Sequence, residues 1–346
     1  MASIGKIVSP DMKRVTPRPR PDKLTVGFVL ARSFTLTAFA LFVDTLRLAS
    51  DKHDRSGRVL ADWQVLATDR HFVTSSCGVQ VAPTSAFVDP GHFHYIVVVG
   101  GLLGSEPAVD VETLRFLRRA DAAQVPLIGL CTGSFILAEA GLMTGHQTCV
   151  SWLHYRAFRE RFPDLEVRAD RLFSLDYRRG SCAGGSSAAD MAAQIVRHYL
   201  GNDAERNALE VLQIEKARTA RDVQVRRPLH LECNDARIKS VLILMEQTLG
   251  DSVSIEALAK SAGVSRRQLE RLFHQKLGLS PGHAYQRIRM EKALLLVTET
   301  DASMIEIALD VGMENASHFT RAFRRAFGVT PTQYRRQMVD GGKLAG

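Results

Sequence analysis

One cysteine of the chain stands in a pattern that could make it reactive. Cys131 lies in the run Gly129-Leu130-Cys131-Thr132-Gly133, where an apolar strand gives way at once to a helix. Small flanking residues permit a tight turn that exposes the central side chain, and a helix amino terminus favours a thiolate. A nucleophilic thiolate also needs a base or a charged partner, and the spacing places neither His146 nor His154 against Cys131. The pattern alone leaves two interpretations open, a nucleophile and a packed, inert cysteine.

A second set of polar residues recurs at a fixed spacing near the carboxyl end. Two short stretches of sequence recur, each 50 positions later. The first is Leu269-x-Arg271-x-Phe273, which recurs as Phe319-x-Arg321-x-Phe323. The second is Gly278-Leu279-Ser280-Pro281, which recurs as Gly328-Val329-Thr330-Pro331. Such a constant offset indicates an internal repeat. Arginine pairs bidentately with guanine, and asparagine or glutamine with adenine, so helices bearing these residues suit the major groove of DNA. The candidate DNA-binding residues are Ser265, Arg266, Arg267, Gln268, Arg271, Asn315, Ser317, His318, Arg321, Arg324 and Arg325.

Capping patterns indicate where helices of the two copies begin. Ser265 with Gln268, and Ser303 with Glu306, have the spacing of capping boxes that begin helices. A glycine ends the first helix of each copy, Gly263 in the first, which predicts a helix, a tight turn and a second helix. The alternative interpretation is two solvated helical hairpins in an all-helical domain.

The central part of the chain alternates strand and helix patterns, which predicts an α/β domain with a mostly parallel sheet. The expected strands are 24–30, 63–67, 94–99 and 126–130, with further strand pieces at 147–150, 165–168 and 171–175. The expected helices are 36–49, 109–122, 184–200 and 204–218. Open α/β sheets bind ligands at the carboxyl ends of their strands, where Cys131 lies.

A ligand pocket is therefore expected around the cysteine turn. Aromatic faces would suit a primary or quaternary ammonium, and hydroxyls and glycine amides a carboxylate. For Phe34 and Trp152 the alternative is ordinary core packing. The candidate ligand-binding residues are Phe34, Gly101, Leu102, Cys131, Thr132, Ser151 and Trp152.

Charge is unevenly distributed along the 346 residues, whose net charge is +8. Residues 1–23 hold six basic and two acidic side chains, and residues 24–233 hold 23 of each. Residues 234–346 hold 16 basic and 12 acidic side chains.

Five cysteines without paired or metal-like spacing predict free thiols in a reducing compartment, and no cofactor or metal is expected. With no apolar signal or spanning segment in the sequence, a cytoplasmic protein is expected.

Residues 235–338 resemble the DNA-binding domain of the AraC family of transcriptional regulators. The resemblance is carried by Ala316-Ser317-His318-Phe319-x-Arg321-x-Phe323 and by Gly328-Val329-Thr330-Pro331-x-x-Tyr334-Arg335. It implies two helix-turn-helix units joined by a long helix, here 282–298, with 265–276 and 315–327 as recognition helices. It also implies promoter DNA and RNA polymerase as partners.

The preceding half resembles the amidotransferase-like superfamily that includes the PfpI-type cysteine peptidases. The matching features are the glycine pair after Val97-Val98-Val99, the turn at Cys131, and Cys182-Ala183-Gly184-Gly185 before a helix. The stretch 131–142 is similar to the GlxA-type regulators, which fuse such a domain to AraC-type units. The resemblance implies a flavodoxin-like α/β domain followed by an all-α domain, and a homodimer.

Two departures separate this sequence from the enzymes of that superfamily. They commonly place histidine directly after the cysteine, where Thr132 stands, and some support the thiol with an acid at the position of Ala38. The resemblance therefore implies a regulator without catalysis, a metabolite-responsive activator of a catabolic operon with a nitrogenous effector. The alternative is a cysteine-dependent PfpI-like hydrolase or peptidase fused to a DNA-binding domain.

Five segments follow from these patterns. They are a basic flexible tail (1–23), a PfpI-like sensor domain (24–200), a linker with one helix (201–233), an AraC-type DNA-binding domain (234–338) and a short tail (339–346).

Overall fold

The computed structural model describes residues 23–51, 55, 57–104, 106–220, 222–224, 231, 233, 235–251 and 253–342. The predicted basic tail lies outside these residues except for Lys23, and so does the segment 343–346. Within the described part of the chain, no helix is long and apolar enough to cross a membrane.

A seven-stranded sheet forms the centre of the first half. The strands of this half are β1 (Leu24–Leu30), β2 (Ala61–Ala67), β3 (Val73–Thr74), β4 (Gln80–Val81), β5 (Ser85–Ala86), β6 (Tyr95–Val99), β7 (Leu127–Leu130), β8 (Thr148–Cys149), β9 (Val167–Arg168), β10 (Phe173–Leu175) and β11 (Arg179–Cys182). The strand order of the large sheet is β10-β11-β7-β6-β1-β2-β5, with every neighbouring pair parallel except β10 and β11. Two small sheets, β3-β4 and β8-β9, lie outside it.

Helices cover both faces of this sheet, as a parallel sheet with both faces buried requires. The helices of this half are α1 (Leu36–Ser50), α2 (Val111–Ala122), α3 (Gly133–Glu139), α4 (Tyr155–Arg161), α5 (Ser187–Leu200) and α6 (Asn202–Val211). One core packs α1 and α5 on the sheet, with Phe28 and Phe42 meeting edge to face. The other core contains Phe116 of α2 and Phe135 of α3.

The flavodoxin-like α/β fold expected from the sequence is confirmed, with two helix boundaries corrected. Helix α5 begins at Ser187 and not at Gly184, because Gly184 and Gly185 have positive φ angles. Helix α6 ends at Val211, well before the predicted residue 218, because Gln213 adopts a left-handed conformation.

The second half is helical and contains two units with separate cores. The first unit's core includes Leu258, Leu269 and Phe273, and the second's includes Phe319 and Phe323. The helices are α7 (Ala236–Gln247), α8 (Ile255–Ser261), α9 (Arg266–Leu277), α10 (Pro281–Glu299), α11 (Met304–Asp310), α12 (Ala316–Phe327) and α13 (Pro331–Gly342). Helix α10 contributes to both cores.

The capping residues predicted from the sequence begin these helices. Both capping boxes are present, Ser265 with Gln268 on α9 and Ser303 with Glu306 on α11. On the joining helix α10, Leu295 is apolar but 36% exposed, so it lies outside both cores.

Candidate functional site

The first predicted recognition helix is α9, and all of its candidate residues are exposed. Ser265 and Gln268 bind each other across the first turn, so their side chains cap the helix. Arg266 forms an i, i+4 ion pair on the same helix. Arg267 and Arg271 make no side-chain hydrogen bond or ion pair with any residue that the structure describes. These two guanidinium groups are therefore free to bind a partner.

The second predicted recognition helix is α12, which begins at the same point of the repeat. Asn315 caps it, because its Oδ1 accepts hydrogen bonds from the backbone N–H of Ser317 (2.8 Å) and His318 (3.1 Å). The other candidates are exposed, and their side chains have no hydrogen-bond or ion-pair partner among the described residues: Ser317, His318, Arg321, Arg324 and Arg325. Arg271 and Arg321, 50 positions apart, thus occupy equivalent exposed places on α9 and α12.

The cysteine turn between β7 and α3 has the backbone that its sequence predicts. Cys131 has a φ of 56°, a left-handed conformation that is uncommon for residues other than glycine. The turn lies against the end of β6, since a Cβ at Gly133 would overlap the carbonyl oxygen of Val98 and one at Gly100 would overlap the backbone nitrogen of Gly133. Close backbone packing therefore restricts the conformation of the turn.

The sulfur of Cys131 has a neutral environment. The Thr35 hydroxyl donates to Sγ at 3.4 Å, and no hydrogen bond joins Sγ to a histidine or an acid among the described residues. His146 contacts Asp176 instead (2.8 Å), while His154 packs edge-on against Phe135, and burial lowers its pKa. Neither histidine forms a hydrogen bond with this thiol.

The two residues that differ from the enzymes of the superfamily, Thr132 and Ala38, have structural roles. Thr132 is buried, and its hydroxyl donates to the Gly101 carbonyl oxygen at 2.9 Å, which ties the turn to the end of β6. Ala38 is fully buried in the core under β1. Burial raises the pKa of the neighbouring Cys182 to about 11, so that thiol stays protonated near neutral pH.

The candidate ligand residues do not share one cavity. Ser151 and Trp152 line a cavity of about 300 Å³, here called the elbow-side cavity. Its other walls include Gly184, where an added Cβ would lie 3.2 Å from Cys131 Sγ. Thr132 and Leu102 line a separate cavity of about 200 Å³. Phe34 is fully buried and packs edge-on against another ring, so it belongs to the core and lines neither cavity.

The elbow-side cavity is completed by two residues of the linker, which no sequence pattern indicated. The buried Gln224 amide accepts from the Trp152 backbone N–H (3.0 Å) and donates to the carbonyl oxygens of Val150 and Arg171 (both 2.8 Å). Arg218 lines the same cavity, held by the buried carboxylate of Asp190 at 2.6 Å. The linker thus forms part of the cavity wall.

Comparison with known proteins places both halves in one architecture. Residues 258–337 match the model of a helix-turn-helix domain, and residues 54–164 match that of the DJ-1/PfpI family. The chain is 34% identical over 314 residues to the HTH-type transcriptional regulator GbdR of Pseudomonas aeruginosa, covering 90% of this chain and 84% of GbdR. It is 31% identical over 316 residues to GlxA of Rhizobium meliloti, another HTH-type transcriptional regulator, covering 90% and 95%.

The chain belongs to the AraC-type transcriptional regulators that carry a DJ-1/PfpI domain. A further member, CdhR of Pseudomonas aeruginosa, is 31% identical over 311 residues, which cover 89% of this chain and 90% of CdhR.

In this AraC-type regulator the two halves touch through a hydrogen bond to a buried carboxylate. Ser240 of α7 donates to Asp170 at 2.8 Å, and Asp170 accepts two further bonds from the Arg168 guanidinium. Burial by itself would raise the pKa of Asp170, but the bonds from Arg168 and its charge hold that pKa below the ordinary value. Asp170 therefore stays ionised at neutral pH, which strengthens the bond between the halves.

Exposed ion pairs of the AraC-type regulator join the same halves at a second place. On α4, Arg159 pairs with Asp251 of the first helix-turn-helix unit, and Arg156 Nη2 lies 3.5 Å from Asp310 Oδ1 of the second. A cleft of about 510 Å³, here called the interdomain cleft, lies beside these pairs. Its walls include Trp152, Tyr155, Lys292 and Leu309.

Proposed function

We propose that the chain is a metabolite-responsive transcriptional activator that reads promoter DNA with α9 and α12. The observation that carries the proposal is the pair of free, exposed arginines, Arg271 and Arg321, at equivalent positions of two helix-turn-helix units. Arginine on a helix face is well suited to the guanine edge in the major groove. In the proposed complex, the two helices enter successive major grooves on one side of the DNA.

The other candidate residues divide by what their side chains already bind. Ser265, Gln268 and Asn315 are caps, so we assign them to helix placement and to contacts with the DNA backbone. Arg267 and His318 lie in the first turns of their helices, as residues that reach base edges commonly do. Arg324 and Arg325 lie in the last turn of α12 and suit phosphates.

The elbow-side cavity is the proposed effector site. It combines an aromatic side chain, Trp152, with the Ser151 hydroxyl and the Arg218 guanidinium, a set that can bind an ammonium and a carboxylate of one small molecule. A nitrogenous metabolite that induces its own catabolic operon is the proposed effector class. RNA polymerase and a second copy of the chain are the proposed protein partners, and the cytoplasm is the proposed location.

We assign no enzymatic activity to Cys131. A cysteine nucleophile is activated by a base or an adjacent charge, and the sulfur here contacts the Thr35 hydroxyl. The turn has a structural function of its own, since it joins the end of β6 to the start of α3 through Thr132 and Gly133. The peptidase or hydrolase alternative is supported by the backbone of the cysteine turn, but no hydrogen bond joins the sulfur to a base among the described residues.

A thermal-shift screen of the full chain tests the effector site. Amino acids, betaines and polyamines are the compounds to use, and one that binds the native state should raise the Tm. At a hundred times its Kd the stabilisation is about 2.7 kcal/mol. Trp152→Ala should abolish the shift, whereas Trp63→Ala, at the other tryptophan of the chain, should leave it unchanged. A shift that survives Trp152→Ala would place the effector elsewhere.

A further inference from the structure

The turn between α7 and α8 packs against the turn that follows α11. Residues 248–251 form the first of these turns, and the side chain of Leu249 is buried in the core of the first unit. The carbonyl oxygen of Leu249 lies so close to Gly312, in the second unit, that an added Cβ at Gly312 would overlap it. Beside it, a Cβ at Gly250 would lie 3.7 Å from the carbonyl oxygen of Asp310. The two units therefore meet through backbone, and this contact between Leu249, Gly250 and Gly312 is here called the inter-unit joint.

The equivalent glycine of the first unit has no such contact. Gly263 follows the end of α8 as Gly312 follows the end of α11, and their φ angles are 69° and 72°. Each donates its backbone N–H to a carbonyl oxygen in the last turn of the preceding helix. A Cβ at Gly263, however, would meet no atom of the described residues within 4 Å. Both turns favour a glycine for its left-handed backbone, and the second turn also requires that this residue have no side chain.

Two side chains of α10 hold the inter-unit joint in place. The hydroxyl of Tyr285, a residue that is 6% exposed, donates to the Thr248 carbonyl oxygen at 2.8 Å and lies 3.2 Å from Thr248 Oγ1. The Arg289 guanidinium, one helical turn further along, stacks on the Tyr285 ring with its Cζ 4.4 Å from the ring centroid. A Cβ at Gly312 would lie 3.1 Å from Arg289 Nη2. Tyr285 thus binds the turn of the first unit, and Arg289 connects Tyr285 with the turn of the second.

The inter-unit joint should fix the distance and the angle between α9 and α12. Helix α10 contributes to both cores and gives the units one connection, and the joint gives them a second. Close-packed backbone has little room to shift, so two such connections restrict the rotation of one unit against the other. Successive major grooves lie about 34 Å apart, and one inserted base pair moves a contacted segment by about 3.4 Å and turns it by about 34°. A rigid pair of units therefore matches one spacing of its operator.

We propose that Gly312 is a positioning residue that sets the operator spacing this chain accepts, and the proposal rests on the proposed reading of DNA by α9 and α12. The missing side chain of Gly312 lets the turn between α7 and α8 reach the second unit, and Tyr285 and Arg289 keep it there. The base contacts of each recognition helix determine which sequence is bound. The inter-unit joint determines how many base pairs separate the two contacted segments.

The test compares Gly312→Ala with Gly263→Ala, in the full chain, on operators of two spacings. The first duplex is the sequence that the wild-type chain selects from random DNA, and the second carries one extra base pair between its two contacted segments. The wild type should bind the first about 5- to 150-fold more tightly, as for a mismatched base pair. Gly312→Ala should reduce this ratio by at least about 5-fold, because its methyl group pushes the two turns apart. Gly263→Ala places an alanine at a matching φ angle and should keep the wild-type ratio.

A milder pair of variants decides the question where Gly312→Ala does not fold, which circular dichroism shows. Tyr285→Phe removes the hydroxyl that binds Thr248, keeps the ring beside Arg289, and should also lower the ratio. Tyr334→Phe, on α13, is its matched control, because the Tyr334 hydroxyl has no hydrogen-bond partner among the described residues. This control should keep the wild-type ratio.

The outcomes separate this proposal from the proposed function. A wild-type chain that selects no sequence, or a single contacted segment, would refute the reading of DNA by both helices. A wild-type chain that selects two segments but binds both spacings equally would refute the role of the inter-unit joint alone. So would a wild-type ratio in folded Gly312→Ala or, where that variant is unfolded, in Tyr285→Phe. An equal fall of the ratio in the control of either pair would also refute it.

Discussion

Alanine in place of Arg271 or of Arg321 should weaken binding to the selected operator by about 5- to 150-fold each. This range corresponds to the roughly 1–3 kcal/mol of a good bidentate contact between arginine and guanine. Both side chains are exposed and free among the described residues, so neither substitution removes a contact that stabilises its unit. Their helices, α9 and α12, pack in separate cores, and the double variant should show nearly additive losses.

The measurement is a titration of the operator and of an unrelated duplex at several salt concentrations. Loss of a base contact should reduce discrimination between the two duplexes, whereas loss of a phosphate contact weakens both alike and lowers the salt dependence. Arg115→Ala is the matched control, because it removes an exposed arginine of α2 that pairs with Glu112. If Arg271→Ala and Arg321→Ala bind the operator as well as Arg115→Ala does, α9 and α12 do not read the bases.

Alanine at Gly133 should prevent the α/β half from folding stably. The added Cβ would overlap the carbonyl oxygen of Val98, a backbone atom of the central strand β6, which cannot rotate away as a side chain can. We expect a destabilisation above about 4 kcal/mol, which is exceptional for a single substitution. Thermal unfolding of the full chain, followed by circular dichroism, should show loss of the transition that belongs to the α/β half.

Two variants make this prediction specific. Gly282→Ala, on α10, places its Cβ in open space and should leave stability unchanged or raise it by up to about 1 kcal/mol. Cys131→Ser, two residues before Gly133, should keep the fold and the operator affinity of the wild type. If Cys131→Ser abolished DNA binding while Gly133→Ala was tolerated, the turn would contribute through its thiol and not through its backbone packing.

The parts of the fold that were predicted well depend on local chemistry. The capping boxes and the turn glycines could be predicted because each is decided within about one helical turn, as between Ser303 and Glu306. Strand β11 was missed, although it lies beside β7 in the sheet, because Arg179-Gly180-Ser181-Cys182 has no apolar run. Its buried Arg179 is accommodated by an ion pair with Asp121, a contact between distant residues that no periodicity shows.

The candidate site residues also differ in whether local sequence could predict their positions. Arg271 and Arg321 were predicted to be exposed from the apolar stripe on their own helices, and they are exposed. The pocket residues required knowledge of which loops meet. Phe34 was predicted to flank a ligand because it follows β1, but it turns into the core, while Gln224 reaches the pocket from a linker more than 70 residues beyond Trp152.

A hydroxyl-radical and methylation footprint of the full chain on its selected operator tests the central claim most directly. Two helices that enter successive major grooves should protect two segments about 10 base pairs apart on one face of the duplex. Arg271→Ala should lose guanine protection in one segment, and Arg321→Ala in the other. A single protected segment, or two that both variants leave intact, would contradict the assignment of α9 and α12 as the helices that read DNA.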